Sequence, residues 1–253
     1  MAKYIYEHKN WTKFSWQDKA INVIFGEVRL MQGKIIGQMN SLGFSAKEEA
    51  TLNALTLDVV KSSEIEGELL NYDQVRSSIA RRLGINTAGL VASSRHIEGV
   101  VEMMLNATQQ YMLPLTEKRL FGWHAALFPT GHSGTYEIEV GRYRTSAMQV
   151  VSGPMGKEKV HYEAVKPELV KKEMDIFLDW FNKDNNLDPV LKAAIAHFWF
   201  IIIHPFDDGN GRIGRAITDM LLARAEGSVD RFYSMSSQIL SERKRYYLSL
   251  IHI

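Results

Sequence analysis

The chain of 253 residues contains no cysteine. This absence excludes disulfide bonds and thiolate metal sites, and it permits a location in the cytosol. The first residues are polar and aromatic, so they lack the apolar segment of a secretory signal. We therefore expect the protein to be cytoplasmic.

Long apolar runs and an excess of one charge are also missing. The apolar run at 198–203 is far shorter than the roughly 20 residues that a bilayer-spanning helix needs. Lys and Arg together number 30 and Asp and Glu 29, which gives a formal net charge of +1. Such a balance excludes a strong global attraction to nucleic acid or to a membrane surface. We expect no contact with a membrane, and no contact with nucleic acid is evident in this stretch, although the balance still allows a local basic patch.

Helical spacing of apolar residues dominates what is present. Hydrophobic residues make up 45% of the chain, enough to bury a substantial core. Apolar positions recur with helical spacing over most of the chain, whereas β-prone runs are confined to 148–162. The pattern predicts an all-α fold with one small β-hairpin. The predicted helices cover 18–39, 46–66, 71–83, 95–111, 116–128, 168–181, 190–203, 211–225 and 238–253, and the second begins with a capping box at 45–48.

The stretch 204–215 combines an imidazole, carboxylates, a glycine-rich turn and two guanidiniums. Pro205 disfavours the helical conformation of the residue before it, so His204 should end helix 190–203 and face a loop. Gly209, Asn210 and Gly211 permit backbone conformations in which successive N–H groups converge on an anion. The positive end of the next helix should face the same loop.

The charged residues of this stretch predict polyphosphate chemistry. Arg212 and Arg215 lie three residues apart on one helical face and can clamp a polyphosphate. Asp208 adds a hard oxygen ligand that suits Mg²⁺ held jointly by a carboxylate and phosphates. His204 near an ordinary pKa of about 6.5 can accept a proton from a hydroxyl. His197 lies seven residues earlier on the same face, which would allow a metal pair, but its apolar surroundings favour a core histidine.

At every fixed position, 204–215 resembles the motif of the Fic family, His-x-Phe-x-(Asp/Glu)-Gly-Asn-Gly-Arg-x-x-Arg. The resemblance implies a protein adenylyltransferase, which transfers AMP from ATP to a Ser, Thr or Tyr hydroxyl of a target protein and releases pyrophosphate. It also implies a role for each residue of the motif. His204 would be the general base, Phe206 a core anchor, Asp208 the Mg²⁺ ligand, Gly209, Asn210 and Gly211 the anion nest, and Arg212 and Arg215 the contacts of the β- and γ-phosphates.

Ser62, Glu66 and Gly67 resemble the inhibitory motif (Ser/Thr)-x-x-x-Glu-(Gly/Asn) found beside many Fic domains. A Ser-x-x-x-Glu-Gly string by itself is more often a solvated helix end, which Gly67 suits. Beside the motif at 204–215, it implies that the helix at about 46–66 inhibits the same chain. If Glu66 pairs with Arg215, the guanidinium cannot bind the γ-phosphate, and the α-phosphate is misaligned for attack.

Two further elements resemble parts of the Fic family. Gly-Arg-Tyr-Arg at 141–144 resembles its Gly-x-Tyr-Arg element, and the predicted hairpin follows. The resemblance implies a flap at about 148–162 that lies over the nucleotide and pairs with an extended segment of the target, although an ordinary surface hairpin is the alternative. Tyr247 and its neighbour Tyr246 match a tyrosine pair that lines the adenine pocket; core packing is the alternative. The candidate flap contacts are Val151, Val160, His161 and Tyr162.

The predicted organisation is an N-terminal helical region at 1–88, which carries the inhibitory helix, and a Fic-type core at 89–253. We expect the core to be truncated, because the helical pattern continues to the last residue. The expected partners are ATP with Mg²⁺ and a target protein, and the sequence is compatible with a homodimer. Two alternatives remain. One is AMP removal, or transfer of another phosphate-containing group, by the same site. The other is a non-catalytic nucleotide-binding adaptor, against which the intact His204 argues.

Overall fold

A computed structural model describes residues 4–86, 88–152, 159–184 and 186–251. These residues form ten α-helices, one short 3₁₀ helix at Ile5–Glu7 and two antiparallel strand pairs, which confirms the all-α class with a small hairpin. The helices are α1 Asp18–Asn40, α2 Phe44–Ile65, α3 Tyr72–Leu83, α4 Arg95–Gln109, α5 Glu117–Leu127, α6 Pro167–Asn182, α7 Pro189–Ile203, α8 Asn210–Glu226, α9 Met235–Ser241 and α10 Arg243–Ile251. The strands are β1 His132–Ser133, β2 Tyr136–Glu137, β3 Gln149–Ser152 and β4 Lys159–Glu163.

Helices α7 and α8 form the centre of the core. They pack against each other, with α6 on α7 and with α4 and α5 on α8. Phe200 and Ile203 of α7 and Ile217 and Met220 of α8 are fully buried. Because α7 is covered on several sides, its sequence is apolar nearly all round. The loop between these two buried helices is therefore held at both ends by the core.

Polar side chains cap the starts of α5 and α7. The Asp188 side chain accepts hydrogen bonds from the backbone N–H groups of Val190 (2.8 Å) and Leu191 (3.3 Å) at the start of α7. Thr116 caps α5 in the same way, through the N–H of Arg119. These side chains satisfy donors that the first turn of a helix leaves without intrahelical acceptors.

Two predicted boundaries are wrong. Helix α2 begins at Phe44 after an extended Gly43, and no side chain caps it. Ser45 is already helical and cannot act as an N-cap, which needs an extended backbone. The single helix predicted over 238–253 is instead two helices, α9 and α10, which are separated at Glu242. Helix α9 starts earlier than predicted because Ser234 caps it through the N–H of Ser237.

Helix α1 lies on the outside of the molecule. None of its 23 residues is buried, and it is attached by polar contacts. Arg29 Nη2 lies 3.0 Å from Asp188 Oδ2, and Gln32 Nε2 donates to Glu226 Oε1 at 2.7 Å. Among the described residues, no helix combines the length and apolar character needed to cross a bilayer.

Helix α2 is tied to the core near its middle. Asp58 is buried, and its Oδ1 accepts hydrogen bonds from Ser234 Oγ (2.7 Å) and from Ser236 N–H (3.0 Å) at the start of α9. Leu52, Leu55 and Val59 are also buried on this helix. This attachment carries the C-terminal end of α2 to the beginning of α8.

Candidate active site

His204 lies where α7 ends, as Pro205 predicts. Its backbone is left-handed, with φ 51° and ψ 60°, and its N–H donates to Phe200 O at 3.0 Å. A residue with a β-carbon is strained in this region, typically by about 1–3 kcal/mol. The surrounding structure must therefore hold this conformation, which turns the chain from α7 into the loop at 204–209.

The hydrogen bonding of the His204 ring defines its proton. Its Nδ1 lies 3.2 Å from Ile201 O, and a carbonyl oxygen can only accept, so Nδ1 carries the proton. The lone pair of Nε2 then remains available. Burial lowers the pKa of His204 below its ordinary value, and the nearby Arg144 acts in the same direction. The imidazole is consequently neutral at pH 7, as a general base requires.

Arg144 holds the loop at 204–209 through hydrogen bonds to backbone carbonyl groups. This buried guanidinium donates from Nε to His204 O at 2.7 Å and from Nη2 to Val165 O. Its backbone N–H also donates to Pro205 O at 2.9 Å. The sequence contains the Gly-Arg-Tyr-Arg element at 141–144, but it predicted no role for Arg144.

Phe206 and Asn210 close the loop on itself. Phe206 is fully buried, and its ring stacks on His124 with centroids 4.3 Å apart. Asn210 Oδ1 accepts from Phe206 N–H at 3.0 Å, and Asn210 Nδ2 donates to Phe206 O at 2.8 Å. The Asn210 side chain is therefore a buried clip, and only its backbone N–H is left for a ligand.

His124 is a core residue that also supports the loop. Its Nδ1 accepts from Gly141 N–H at 3.0 Å, so its Nε2 carries the proton and donates to Asp208 O at 3.2 Å. Burial lowers the pKa of His124 to about 4, which keeps the ring neutral in this arrangement. His197 is likewise enclosed in the core, where its Nε2 lies 2.8 Å from Tyr246 Oη.

The predicted anion site corresponds to the first turn of α8. Of the three residues in the predicted nest, only Gly209 has a positive φ, which is 79°. A methyl group on Gly209 would lie 2.9 Å from the Phe128 ring. Asn210 and Gly211 are already the first residues of the helix. The first backbone N–H groups of a helix have no intrahelical acceptors, and the helix dipole favours an anion there. The arrangement differs in detail from three successive turn residues, and its binding of an anion stays a prediction.

The end of α2 brings a carboxylate into this anion site. Gly67 ends the helix with φ 86°, and Glu68 N–H donates back to Ser63 O at 3.0 Å, a closed helix end of the kind that glycine favours. Glu66, the cap residue, lies against Gly211, where a methyl group would be 2.0 Å from Glu66 Oε1. A phosphate could not share this position with the carboxylate.

Arg215 has all three of its guanidinium nitrogens occupied by α2. Nη1 donates to Glu66 Oε1 at 2.9 Å, Nε to Ser62 Oγ at 2.8 Å and Nη2 to Ser62 O at 2.7 Å. The Arg215 side chain is completely buried, whereas that of Glu66 is 33% exposed. The contact between Glu66 and Arg215 that the inhibitory motif implies is thus present.

Arg212 is held by a second carboxylate, which the sequence reasoning missed. Its Nη1 donates to Glu68 Oε2 at 2.7 Å, and its guanidinium lies over the Phe128 ring, 5.1 Å from the centroid. Glu68 Oε1 in turn lies 2.6 Å from His96 Nε2 in the first turn of α4. The sequence signal for this contact is a second glutamate, Glu68, which follows the helix-ending Gly67 just as Glu66 precedes it.

Asp208 fits a metal ion that is shared with a ligand. Its carboxylate is 45% exposed; Oδ1 accepts from Gly209 N–H at 2.6 Å and Oδ2 from Ser133 Oγ. The described part of the chain contains no group of three His, Cys, Asp or Glu side chains able to hold a metal. One exposed carboxylate without further protein ligands suits Mg²⁺ bound largely through phosphates. A cleft of about 450 Å³ adjoins Asp208 and Arg212.

The predicted hairpin is present as β3 and β4, with a bulge between Val150 and Val151. Val151, Val160 and His161 lie in these strands, but their side chains are outside the described structure. Tyr162 is half-buried, and its Oη donates to Ile202 O at 2.8 Å in the last turn of α7. The hairpin is therefore joined to the helix that ends at the proposed base.

Aromatic contacts connect other segments to this site. The rings of Tyr4 and Tyr6 meet the Tyr162 ring edge-on, at centroid distances of 5.5 and 6.3 Å. Tyr247 Oη donates to Ile65 O at 3.4 Å, directly before Glu66. The adenine contact that was predicted for Tyr247 stays a prediction, because the observed contact is with α2.

Comparisons with known proteins match two parts of the chain. Residues 114–222 match the family described as Fic/DOC, and residues 4–85 match a domain of unknown function, DUF4172. The predicted division between residues 88 and 89 stays a prediction. Helix α2, with Glu66, lies in the first matched segment, and the loop at 204–209 lies in the second.

Curated relatives carry the name protein adenylyltransferase. Protein adenylyltransferase fic-1 of Caenorhabditis elegans is 37% identical over 90 residues, which are 35% of this chain and 16% of that protein. Protein adenylyltransferase Fic of Drosophila willistoni is 30% identical over 194 residues, 75% of this chain and 35% of that protein. The chain thus matches well under two thirds of the length of these relatives.

Solved structures share the fold. A Fic family protein from Desulfovibrio desulfuricans has a TM-score of 0.64 at 24% identity, covering 94% of this chain and 67% of that one. A Fic domain containing signaling protein from Bacteroides thetaiotaomicron also has a TM-score of 0.64, at 26% identity, covering 89% of this chain and 80% of that one. The likeness extends over nearly the whole chain.

Proposed function

Because residues 114–222 form a Fic domain, we propose that the protein is an adenylyltransferase that transfers AMP from ATP to a hydroxyl group of a target protein. The names of the curated relatives support this proposal. The observation that carries it is the joint occurrence, within 204–215, of a neutral imidazole with a free Nε2 and two buried arginines at an open helix start.

The reaction uses the base and the anion site together. The target hydroxyl oxygen attacks the α-phosphorus of ATP, and His204 Nε2 accepts the hydroxyl proton. A new oxygen–phosphorus bond forms as the bond from the α-phosphorus to the bridging oxygen breaks, and pyrophosphate leaves. Arg212, Arg215 and the first N–H groups of α8 hold the β- and γ-phosphates, which orients the α-phosphate toward the base.

A magnesium ion is the proposed cofactor, with Asp208 as its protein ligand. Such an ion, when bound, neutralises charge on the phosphates and favours departure of pyrophosphate. The half-exposed carboxylate beside the first turn of α8 supports this assignment. Ser133 Oγ donates to Oδ2 and Gly209 N–H to Oδ1, and these contacts would orient the carboxylate toward such an ion.

The same chain inhibits this reaction through Glu66. Its carboxylate lies on Gly211 and binds Arg215, so it occupies the position that a terminal phosphate would need. Arg215 is completely buried and cannot turn to another partner, whereas Glu66 is partly exposed and can move into solvent. ATP can therefore bind productively only after the end of α2 moves or its glutamate turns away.

The hairpin of β3 and β4 is the proposed docking edge for the target. A two-stranded sheet has open edges, and an extended peptide can add to one of them through backbone hydrogen bonds. The contact of Tyr162 with Ile202, two residues before the base, would bring a docked hydroxyl close to His204. Tyr247, beside the last turn of α2, is the candidate contact for adenine.

Intact-mass spectrometry tests the proposed reaction. We expect Glu66→Gly protein, incubated with Mg²⁺, ATP and a cell lysate, to yield proteins and its own chain heavier by one AMP group, and His204→Ala/Glu66→Gly protein to yield none. A mass increase of one phosphate, or of another nucleotide group, would show that the protein transfers that group instead of AMP. Equal labelling by the two variants would instead support the non-catalytic adaptor.

A further inference from the structure

We propose that Glu68 is a second inhibitory carboxylate, which withholds Arg212 from the nucleotide as Glu66 withholds Arg215. This inference rests on the proposed function, because it concerns how the same ATP site opens. The two glutamates are separated by one glycine and contact different arginines of the motif. The inhibitory segment therefore extends past the end of α2 into the following loop.

The contacts of Arg212 support competition with a phosphate. Its side chain is only 6% exposed, and its Nη1 is occupied by Glu68 at 2.7 Å. Nε is buried and has no acceptor among the described residues, so the guanidinium retains unused donor capacity. A buried cation with an unused donor gains from a ligand with several oxygens. A phosphate provides them, whereas Glu68 reaches only Nη1.

The exposure of the two partners decides which one moves. Arg212 is buried and lies over the Phe128 ring, whereas Glu68 is 36% exposed at the rim of the cleft. Turning the Glu68 side chain outward places its carboxylate in water, where it is solvated, whereas withdrawing the Arg212 side chain would leave its packed position against Phe128 empty.

Electrostatic repulsion also favours the release of a glutamate. With Glu66, Glu68 and Asp208 around two guanidiniums, the carboxylates already outnumber the cations, and a triphosphate would be repelled until a glutamate leaves.

The Glu68 side chain has an attachment outside α2, although its backbone N–H donates to Ser63 O of that helix. Its Oε1 lies 2.6 Å from His96 Nε2, in the first turn of α4, and α4 also packs on α8. Within the described structure, the Glu66 carboxylate pairs with Arg215, whereas His96 pairs with Glu68. A turn of the Glu66 side chain that frees Arg215 therefore leaves the Glu68 carboxylate bound between Arg212 and His96. The structure implies two releases in succession, with partial opening after the first.

A purely structural role for Glu68 is the competing explanation. In that case the glutamate joins the loop after α2 to α4 and has no effect on nucleotide affinity beyond a general loosening. The two explanations differ in ligand dependence. Competition for Arg212 acts only on ligands with phosphates beyond the α-position, whereas loosening acts on AMP and ATP alike.

Isothermal titration calorimetry with Mg²⁺-ATP and with AMP measures this difference. The variants are made in a His204→Ala background, so that binding is measured without turnover. We expect Glu68→Gln, added to Glu66→Gln, to raise the affinity for ATP by about tenfold, the order expected for one charged hydrogen bond, with less than about a twofold change for AMP. Glu64→Gln is the matched control, because Glu64, like Glu68, lies two residues from Glu66 in the chain but pairs with Lys61 at 2.8 Å.

Arg212 provides the second arm of the test. In an Arg212→Gln background, Glu68→Gln should no longer change the affinity for ATP, because its competitor is gone. Thermal melting identifies any variant that fails to fold, and the Glu66→Gln/Glu68→Gln pair, with both motif arginines intact, then decides the matter. Equal ATP affinities with and without Glu68→Gln, or equal gains for ATP and AMP, would overturn the inference.

The outcomes separate this inference from the proposed function. If variants with an intact His204 bind ATP more tightly after Glu68→Gln but transfer no AMP, the adenylyltransferase proposal fails and the role of Glu68 stands. If Glu66→Gln protein transfers AMP while Glu68→Gln leaves its ATP affinity unchanged, the role of Glu68 fails and the reaction stands.

Discussion

The loop at 204–209 and the end of α2 meet at one site but are held in opposite ways. The loop is fixed by neutral or fully buried contacts: the Phe206 anchor, the Asn210 clip and the Arg144 guanidinium on backbone carbonyls. The end of α2 contacts the site through partly exposed carboxylates on buried arginines. Phosphates can replace carboxylates but cannot replace a buried clip. We infer that the loop at 204–209 is already in place before ATP binds. The end of α2, called the cover below, lies over the site and can be displaced by ATP.

The strongest way to break the comparison is to remove the base from the assembled loop. His204→Ala should lower the rate of AMP transfer by about 10²- to 10⁴-fold, the range typical of a lost general base. The measurement is transfer of labelled AMP in a Glu66→Gly background. ATP affinity should change little, because the arginines remain. Retention of full activity would show that another group accepts the proton.

Removing the cover should have the next largest effect. Glu66→Gly frees Arg215 and should raise self-AMPylation by about 10- to 100-fold, which corresponds to the 1.5–3 kcal/mol of one hydrogen bond to a charged group. Quantitative labelling of the purified chain measures it. Glu64→Gln is again the control for a nearby charge. If labelling by Glu66→Gly protein equals that of the unaltered chain, the inhibitory role of Glu66 is wrong.

Asn210→Ala tests whether the loop depends on its clip. The substitution removes two buried hydrogen bonds to Phe206 and should lower the free energy of unfolding by about 2 kcal/mol, at roughly 1 kcal/mol each. Chemical denaturation measures this loss. Glu66→Gln should cost less than Asn210→Ala, since its carboxylate is partly exposed. The reverse order would contradict the distinction between the loop and its cover.

The pH dependence should give the smallest effect. Burial lowers the pKa of His204, so the unprotonated base persists to a lower pH than an ordinary histidine would allow. The acid limb of kcat/KM, which reports on the free enzyme, should therefore have its midpoint below about 6.5. The profile is best measured on Glu66→Gly protein. A midpoint above 6.5 would mean that carboxylates, and not burial, dominate the electrostatics of the ring.

The sequence predicted the loop well because its determinants are local. Pro205 ends α7, Gly209 supplies the turn before α8, and Gly67 ends α2, each through its own backbone preference. The pairing of Glu66 with Arg215 spans 149 positions and followed only from a resemblance to a known motif. Local rules also gave the wrong start for α2, because both Gly43 and Ser45 are residues that can precede a helix.

The contacts that sequence reasoning missed join residues far apart in the chain. Arg144 binds carbonyls of the 204–205 turn, and Glu68 binds Arg212 across 144 positions. No periodicity or spacing connects such residues, because they meet only when α2, α4 and α8 pack together. Asn210 was predicted as part of an anion nest, yet its side chain closes the loop; glycine-rich spacing does not distinguish a backbone ligand from a side-chain clip.

The most direct test of the central claim compares two labels in the same reaction. Purified Glu66→Gly protein is incubated with Mg²⁺ and ATP that carries radioactive phosphorus at either the α- or the γ-position, and the chain is then separated from nucleotide. The account predicts that the α-label becomes bound to protein and the γ-label does not, with both absent after His204→Ala. Protein-bound γ-label would contradict it, because the terminal phosphates should leave as pyrophosphate.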